Sequence, residues 1–162
     1  MFYTIGGLPL HPLVVHAAVV LLPLGVLGGW LIALKSRWNR KFGFLVVGCA
    51  WVAAGFAFVA KESGEKLAVV VGTPTQHVSI ARFLPYGAFG FALLVSLLWF
   101  LDRMGSDLSL TGRSLPAKLV AVATAVAGLA LLWWVFRAGD SGATAVWTPI
   151  MNHATQSATP KP

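Results

Sequence analysis

The chain has 162 residues, of which 57% are hydrophobic and only 10% charged, against about 25% charged and roughly 45–50% apolar residues in an ordinary soluble domain. With a mean hydropathy of +0.79, this excludes a soluble globular domain and a disordered chain, and the single cysteine, Cys49, excludes a disulfide scaffold. The net charge of +7 does not argue for nucleic acid, because the basic residues are scattered over short loops with no interleaved aromatics to stack bases.

Four apolar runs are long enough to cross a hydrocarbon core, which takes about 20 helical residues: 11–34, 42–60, 83–101 and 119–136. Joined by short connections, they predict an all-α, polytopic membrane protein built as a four-helix antiparallel bundle, a domain spanning 1–147. Residues 148–162, rich in Thr, Ala, Ser and Pro toward the end, read as a flexible C-terminal tail. The first run carries no basic residues before it, and Lys35, Arg37, Arg40 and Lys41 follow it, so it reads as an uncleaved helix and not as a signal peptide. With Arg103, Arg113 and Lys118, seven of the twelve basic residues fall on one side. Lys61, Lys66, Arg82, Arg137 and Lys161 fall on the other. The positive-inside rule then places both termini on the outer face of a bacterial inner membrane.

Within the spans, Gly25 and Gly29 form a GxxxG pair, and Gly48, Gly55, Gly87 and Gly90 offer further small surfaces for close helix approach. Kinks are expected near Pro23 and Pro85. Trp30, Trp38, Trp99, Trp133, Trp134 and Trp147 lie near span ends, where interfacial anchors are expected. Cys49, set in apolar sequence, reads as a packing residue.

An up-and-down bundle brings most of the unusual polar residues to the outer face. The first helix begins Leu10-His11-Pro12-Leu13-Val14-Val15-His16. Pro12 suits the first helical position, which makes His11 a capping position. His16 then sits roughly 6 Å deeper at 1.5 Å per residue, a depth at which an ionisable side chain is expected to face the bundle interior. The second helix ends in Lys61-Glu62-Ser63-Gly64-Glu65-Lys66, where Glu62 and Glu65 share a face and can also pair with neighbouring lysines. His77 precedes the third span. The fourth leads into Arg137-Ala138-Gly139-Asp140-Ser141-Gly142, which reads as a polar, Gly-rich turn.

Three histidines and three carboxylates are transition-metal ligand types, so His11, His16, Glu62, Glu65, His77 and Asp140 form a candidate metal set for Cu, Zn or Fe. Two histidines from facing helices, His16 and His77, are alternatively the axial ligands of a haem b. No catalytic residue is assigned: neither Ser63 nor Ser141 stands in a nucleophile elbow, and the spans carry no mid-membrane charge of the kind transporters use. A binding role is therefore favoured over catalytic activity of its own. Two further readings use the same face: a non-catalytic accessory subunit of a larger, respiratory membrane complex, and a quinone- or lipid-binding site. Membrane lipid and protein subunits are the expected partners.

The segments Gly7-Leu8-Pro9-Leu10-His11-Pro12-Leu13-Val14-Val15-His16, Ser63-Gly64-Glu65-Lys66-Leu67-Ala68, His77 and Gly139-Asp140-Ser141-Gly142-Ala143-Thr144-Ala145-Val146-Trp147 together resemble the bacterial membrane proteins of the domain-of-unknown-function 2231 family. The resemblance covers about residues 5 to 147. It implies a four-helix membrane domain with motif residues at one face, and the fusion of some relatives to cytochrome-like domains points toward redox chemistry. Many members follow the second histidine with Phe-Pro, where this chain has Ala17-Ala18.

Overall fold

In a computed structural model the protein is described over residues 4–5, 7–72, 75–105 and 113–158. Lys161 and the last residues of the expected tail lie outside this range. A minimal hairpin opens the chain: β1 (Thr4–Ile5) pairs antiparallel with β2 (Leu8–Pro9). Gly7 turns between them at φ 82°, a left-handed conformation that glycine adopts without steric cost. Among the described residues five helices follow: α1 (Leu10–Leu34), α2 (Ser36–Val71), α3 (Thr75–Ala81), α4 (Leu84–Met104) and α5 (Leu115–Ala158). Among the described residues four segments are long and apolar enough to cross a membrane, so the expected helical, four-span architecture is the observed one.

Two helices outrun their expected spans. Lys61 binds Glu65 one turn on at 2.9 Å, and no proline interrupts α2 until its end, so the helix continues to Val71. The stretch Arg137–Gly142, expected as a Gly-rich turn, is helical, and α5 continues through Pro149 to Ala158. Gly142 is tolerated there because the ring of His77 packs directly on it. At 1.5 Å per residue, the 44 residues of α5 reach about 66 Å, twice the roughly 30 Å hydrocarbon core. The third span is broken at Arg82–Phe83, and Pro85 stands in the first turn of α4, where its missing N–H costs nothing. Pro23 lies inside α1.

The helices form a ring in which α1 and α4 each touch both α2 and α5 and face one another across the diagonal. The α1–α2 connection is the single residue Lys35. The centre is filled by small and branched residues, among them Ala18, Leu22, Val26, Ala50, Ala53, Ala57, Ala92, Val95, Leu98 and Leu131. Large apolar side chains point outward instead: Val20, Leu24 and Leu27 on α1, Phe44 and Leu45 on α2, Leu93 and Phe100 on α4, Leu119, Val126 and Leu129 on α5. Lipid tails are as apolar as leucine, so helix association here rests on close packing and interhelical hydrogen bonds.

The glycines divide accordingly. A Cβ on Gly25 would meet the Ala50 backbone at 3.6 Å, one on Gly29 would meet the Phe91 ring at 2.7 Å, and one on Gly87 would meet Trp134 at 3.3 Å. Gly48, Gly55 and Gly90, also expected as contact surfaces, have open space at that position. The tryptophans divide too. Trp38, Trp133 and Trp147 are exposed. Trp30 and Trp134 instead donate across helices, to the Ala125 and Ile80 carbonyls at 3.2 and 2.8 Å. Cys49 is half-buried, its thiol directed to the Leu21 carbonyl of α1.

Candidate functional site

At the end of the bundle where α1 and α3 begin and the apolar parts of α2 and α5 finish, two histidines are held in the same way. His11, in the first turn of α1, brings Nδ1 within 2.9 Å of the Ala60 carbonyl of α2 and 3.4 Å of Ser63 Oγ. His77, in α3, brings Nδ1 within 3.1 Å of the Ala138 carbonyl of α5 and 3.1 Å of Ser141 Oγ. A carbonyl oxygen only accepts, so each Nδ1 carries the proton. Ser63 and Ser141 donate to those same carbonyls, at 3.1 and 3.0 Å. In each neutral ring Nε2 is then left with its lone pair.

Both rings lie on a glycine one residue after the serine. A Cβ on Gly64 would come within 2.8 Å of His11 Cε1, and one on Gly142 within 3.2 Å of His77 Cε1. The absence of a side chain at Gly64 and Gly142 is therefore what lets each imidazole approach the helix backbone and reach its carbonyl.

The remaining candidates are not gathered with this pair. His16 does not face the interior: it is exposed on the outer surface of α1, and its Nδ1–H turns back to the Pro12 carbonyl at 2.5 Å. His16 follows His11 by five residues, a rotation of one full turn and about 140° more at 3.6 residues per turn, which explains why the two imidazoles diverge. Glu62 and Glu65 are both engaged by Lys61, at 3.0 and 2.9 Å, and are about half exposed. Asp140 is exposed on α5. Among the described residues, no group of three or more His, Cys, Asp or Glu side chains is arranged to hold a metal ion.

A second polar cluster, at the opposite end, has no counterpart in the sequence reading. Arg113 Nε and Nη2 donate to the two carboxylate oxygens of Asp102 at 3.0 and 2.6 Å. The same guanidinium donates to the Ile32 carbonyl at 2.7 Å and to the Ala33 carbonyl. It thereby caps the last turn of α1, where unpaired carbonyls and the helix dipole favour a cation. Asn39 of α2 donates to Asp102 at 2.8 Å and to the Leu98 carbonyl at 3.0 Å. Three helices and the residue leading into the fourth are thus tied at one point. From sequence Arg113 reads only as a topology charge, and Asp102 sits one residue beyond the expected span. The available signal is a lone acid directly after the third uncharged run, with Asn39 three residues before the second.

Four membrane-spanning helices carrying one polar cluster at each end define an integral membrane protein of the polytopic four-helix class. The family described as predicted membrane protein (DUF2231) matches residues 7–154, and the chain belongs to that family. No curated protein and no solved structure matches it.

Proposed function

We propose that this membrane protein binds a haem b or a transition-metal ion at the histidine end of the bundle, through His11 and His77, and serves redox chemistry or metal handling. The observation that carries this reading is the shared tether of the two rings. An imidazole whose Nδ1–H is fixed by a backbone carbonyl has its tautomer and orientation set, and its Nε2 is the more basic ligand for it. Glu62, Glu65 and Asp140 stand at the same end of the bundle, outside the pair of rings. The position at the end of the bundle suits exchange of electrons or metal with the aqueous side the histidines face, and the excess of basic residues at the other end supports reading that side as the outer face of a bacterial inner membrane. Purified in detergent, the protein should show a Soret band or about one equivalent of Fe, Cu or Zn. A featureless visible spectrum together with no bound metal overturns the reading.

A second reading, an accessory subunit of a larger membrane complex, is favoured by the end of α5. Val146, Trp147, Ile150 and Met151 are exposed at helical spacing on one face, and Thr144, Thr148, Asn152 and Thr155 occupy the other. An apolar helical face beyond the bundle suits a groove in a neighbouring subunit. Trp147→Ser should then release the chain from a higher-mass assembly on a native gel while leaving its own unfolding temperature unchanged. Migration at the same mass as the parent protein overturns this reading.

A further inference from the structure

We propose that the seam between α1 and α5, at the end of the bundle remote from the histidines, is a site for one anionic phospholipid: an acyl chain lies in an apolar groove and the phosphate pairs with Lys118. The site is independent of the histidine reading.

The groove follows from residues of unequal size. Trp30 and Leu34 of α1 and Val122, Ala125 and Leu129 of α5 line a cavity of about 660 Å³, with Lys118 among them. Leu34, Val122 and Leu129 are exposed at its rim, so it opens on the lipid-facing side of the bundle. Trp30 holds the two helices in this relation. Its indole crosses to α5 and donates to the Ala125 carbonyl at 3.2 Å. It reaches α5 because Gly128 has no side chain: a Cβ there would stand 2.6 Å from the indole nitrogen. In the other seams large side chains cross at close range, Val46 onto Gly28 between α1 and α2, Trp51 onto Ser96 between α2 and α4, and Trp134 onto Gly87 between α4 and α5. The floor of the groove is also fixed in place, since the carbonyl of Ala33, which lines it, accepts from the buried Arg113.

Length and charge select the occupant. Along α5 the path from Lys118 to Leu129 is about 16 Å at 1.5 Å per residue, the depth of one leaflet, or half of the roughly 30 Å hydrocarbon core. Lys118 stands at the shallow end of that path, directly before the apolar run of α5 and in the first turn of the helix, where the helix dipole adds to its positive charge. Lys35 follows Leu34 of the rim, its ammonium 4.7 Å from the centre of the Trp38 ring. Arg37, Arg40, Lys41 and Arg103 belong to the same end. The acid there among the described residues, Asp102, is buried and engaged by Arg113. Basic pockets between membrane helices attract anionic headgroups in this way. A zwitterionic lipid carries a compensating ammonium and gains less from the same field. A second copy of the chain set parallel against this seam would bring its own basic end beside this one, and like charges oppose that contact.

The test is native mass spectrometry of the full chain, delipidated in detergent and titrated with dioleoyl phosphatidylglycerol or dioleoyl phosphatidylcholine. The expected result is one phosphatidylglycerol per chain, bound about fivefold more tightly than phosphatidylcholine, the preference that one interfacial lysine supplies. Lys118→Ala should abolish that preference. Val122→Trp, which fills the groove from its exposed rim, should weaken both lipids. Arg103→Ala, at the same end but on α4, should change either affinity by less than about twofold. Lys118, Val122 and Arg103 are all exposed, and an unchanged circular dichroism spectrum checks that each variant folds. Equal binding of the two lipids overturns the proposal, as do equal losses in Lys118→Ala and Arg103→Ala, which would make the whole basic end the attractant. Displacement of the lipid by an equal concentration of glycerol phosphate marks a site for a bare anion and overturns the groove. A parent chain found as a dimer that Val122→Trp separates gives the groove to a second copy and overturns it likewise.

Discussion

Arg113 and Asp102 form a bidentate ion pair whose side chains are only 1% and 2% exposed, at the end of the bundle remote from the histidines. Taking both charges out of water is costly, and what offsets it here is that every arm of the guanidinium is used, on the carboxylate and on the α1 carbonyls. Removing one member strands the other as a buried charge, a change that costs about 3–5 kcal/mol. Asp102→Ala and Arg113→Ala should each lower stability by that amount in denaturant titration of the detergent-solubilised protein. The paired change Asp102→Leu with Arg113→Met should cost less than either single substitution, since it removes both charges together.

The glycines under the histidines should respond in graded fashion. Alanine in place of glycine in a helix gains up to about 1 kcal/mol from propensity, while overpacking costs about 1–3 kcal/mol. The Cβ would sit 2.8 Å from His11 in Gly64→Ala and 3.2 Å from His77 in Gly142→Ala. Gly64→Ala should therefore be net destabilising, by about 1–2 kcal/mol, and Gly142→Ala close to neutral. Both should weaken hemin or metal binding, Gly64→Ala the more strongly, as read by titration.

His16 offers the internal control. Its exposed ring makes only a local bond to Pro12, and surface substitutions of this kind usually change stability by less than about 0.5 kcal/mol. His16→Ala should leave the unfolding curve in place and reduce ligand affinity far less than His11→Ala or His77→Ala, measured in the same titration.

Gly43 tests the packing at the opposite end. Its Cβ would collide with Trp99 and with the Asn39 side chain that supports Asp102. Gly43→Ala should cost about 1–3 kcal/mol, whereas Gly48→Ala and Gly55→Ala, which meet nothing, should be neutral or stabilising by up to about 1 kcal/mol. Thermal unfolding of the three variants side by side separates the two behaviours.

Hydropathy was sufficient to locate all four spans, because a run of uncharged apolar residues has few alternatives once its length approaches the membrane thickness. It could not tell where α2 and α5 stop, since the polar stretches 61–66 and 137–142 interrupt the apolar pattern and still stay helical, the first holding the Lys61–Glu65 pair and the second packed against His77. Glycine spacing overstated the contacts: Gly25 and Gly29 do touch neighbours, but Gly48 and Gly55 face away, and which side of a helix meets a partner is a property of the ring order. The same limit applied to the histidines. His11 and His16 are alike in sequence context, yet only His11 is turned toward α2.

Composition and periodicity by themselves determined that this chain lives in a membrane as four helices, with its histidines and most of its acids gathered at one end. Both follow from local, additive quantities: apolar length and up-and-down connection. Only the tertiary structure decided which of those polar residues meet. His11 with Ser63, His77 with Ser141, and Arg113 with Asp102 and Asn39 are pairings between different elements. They depend on helix rotation, on glycines that let a ring reach a backbone carbonyl, and on the order of helices around the bundle, none of which a one-dimensional pattern contains.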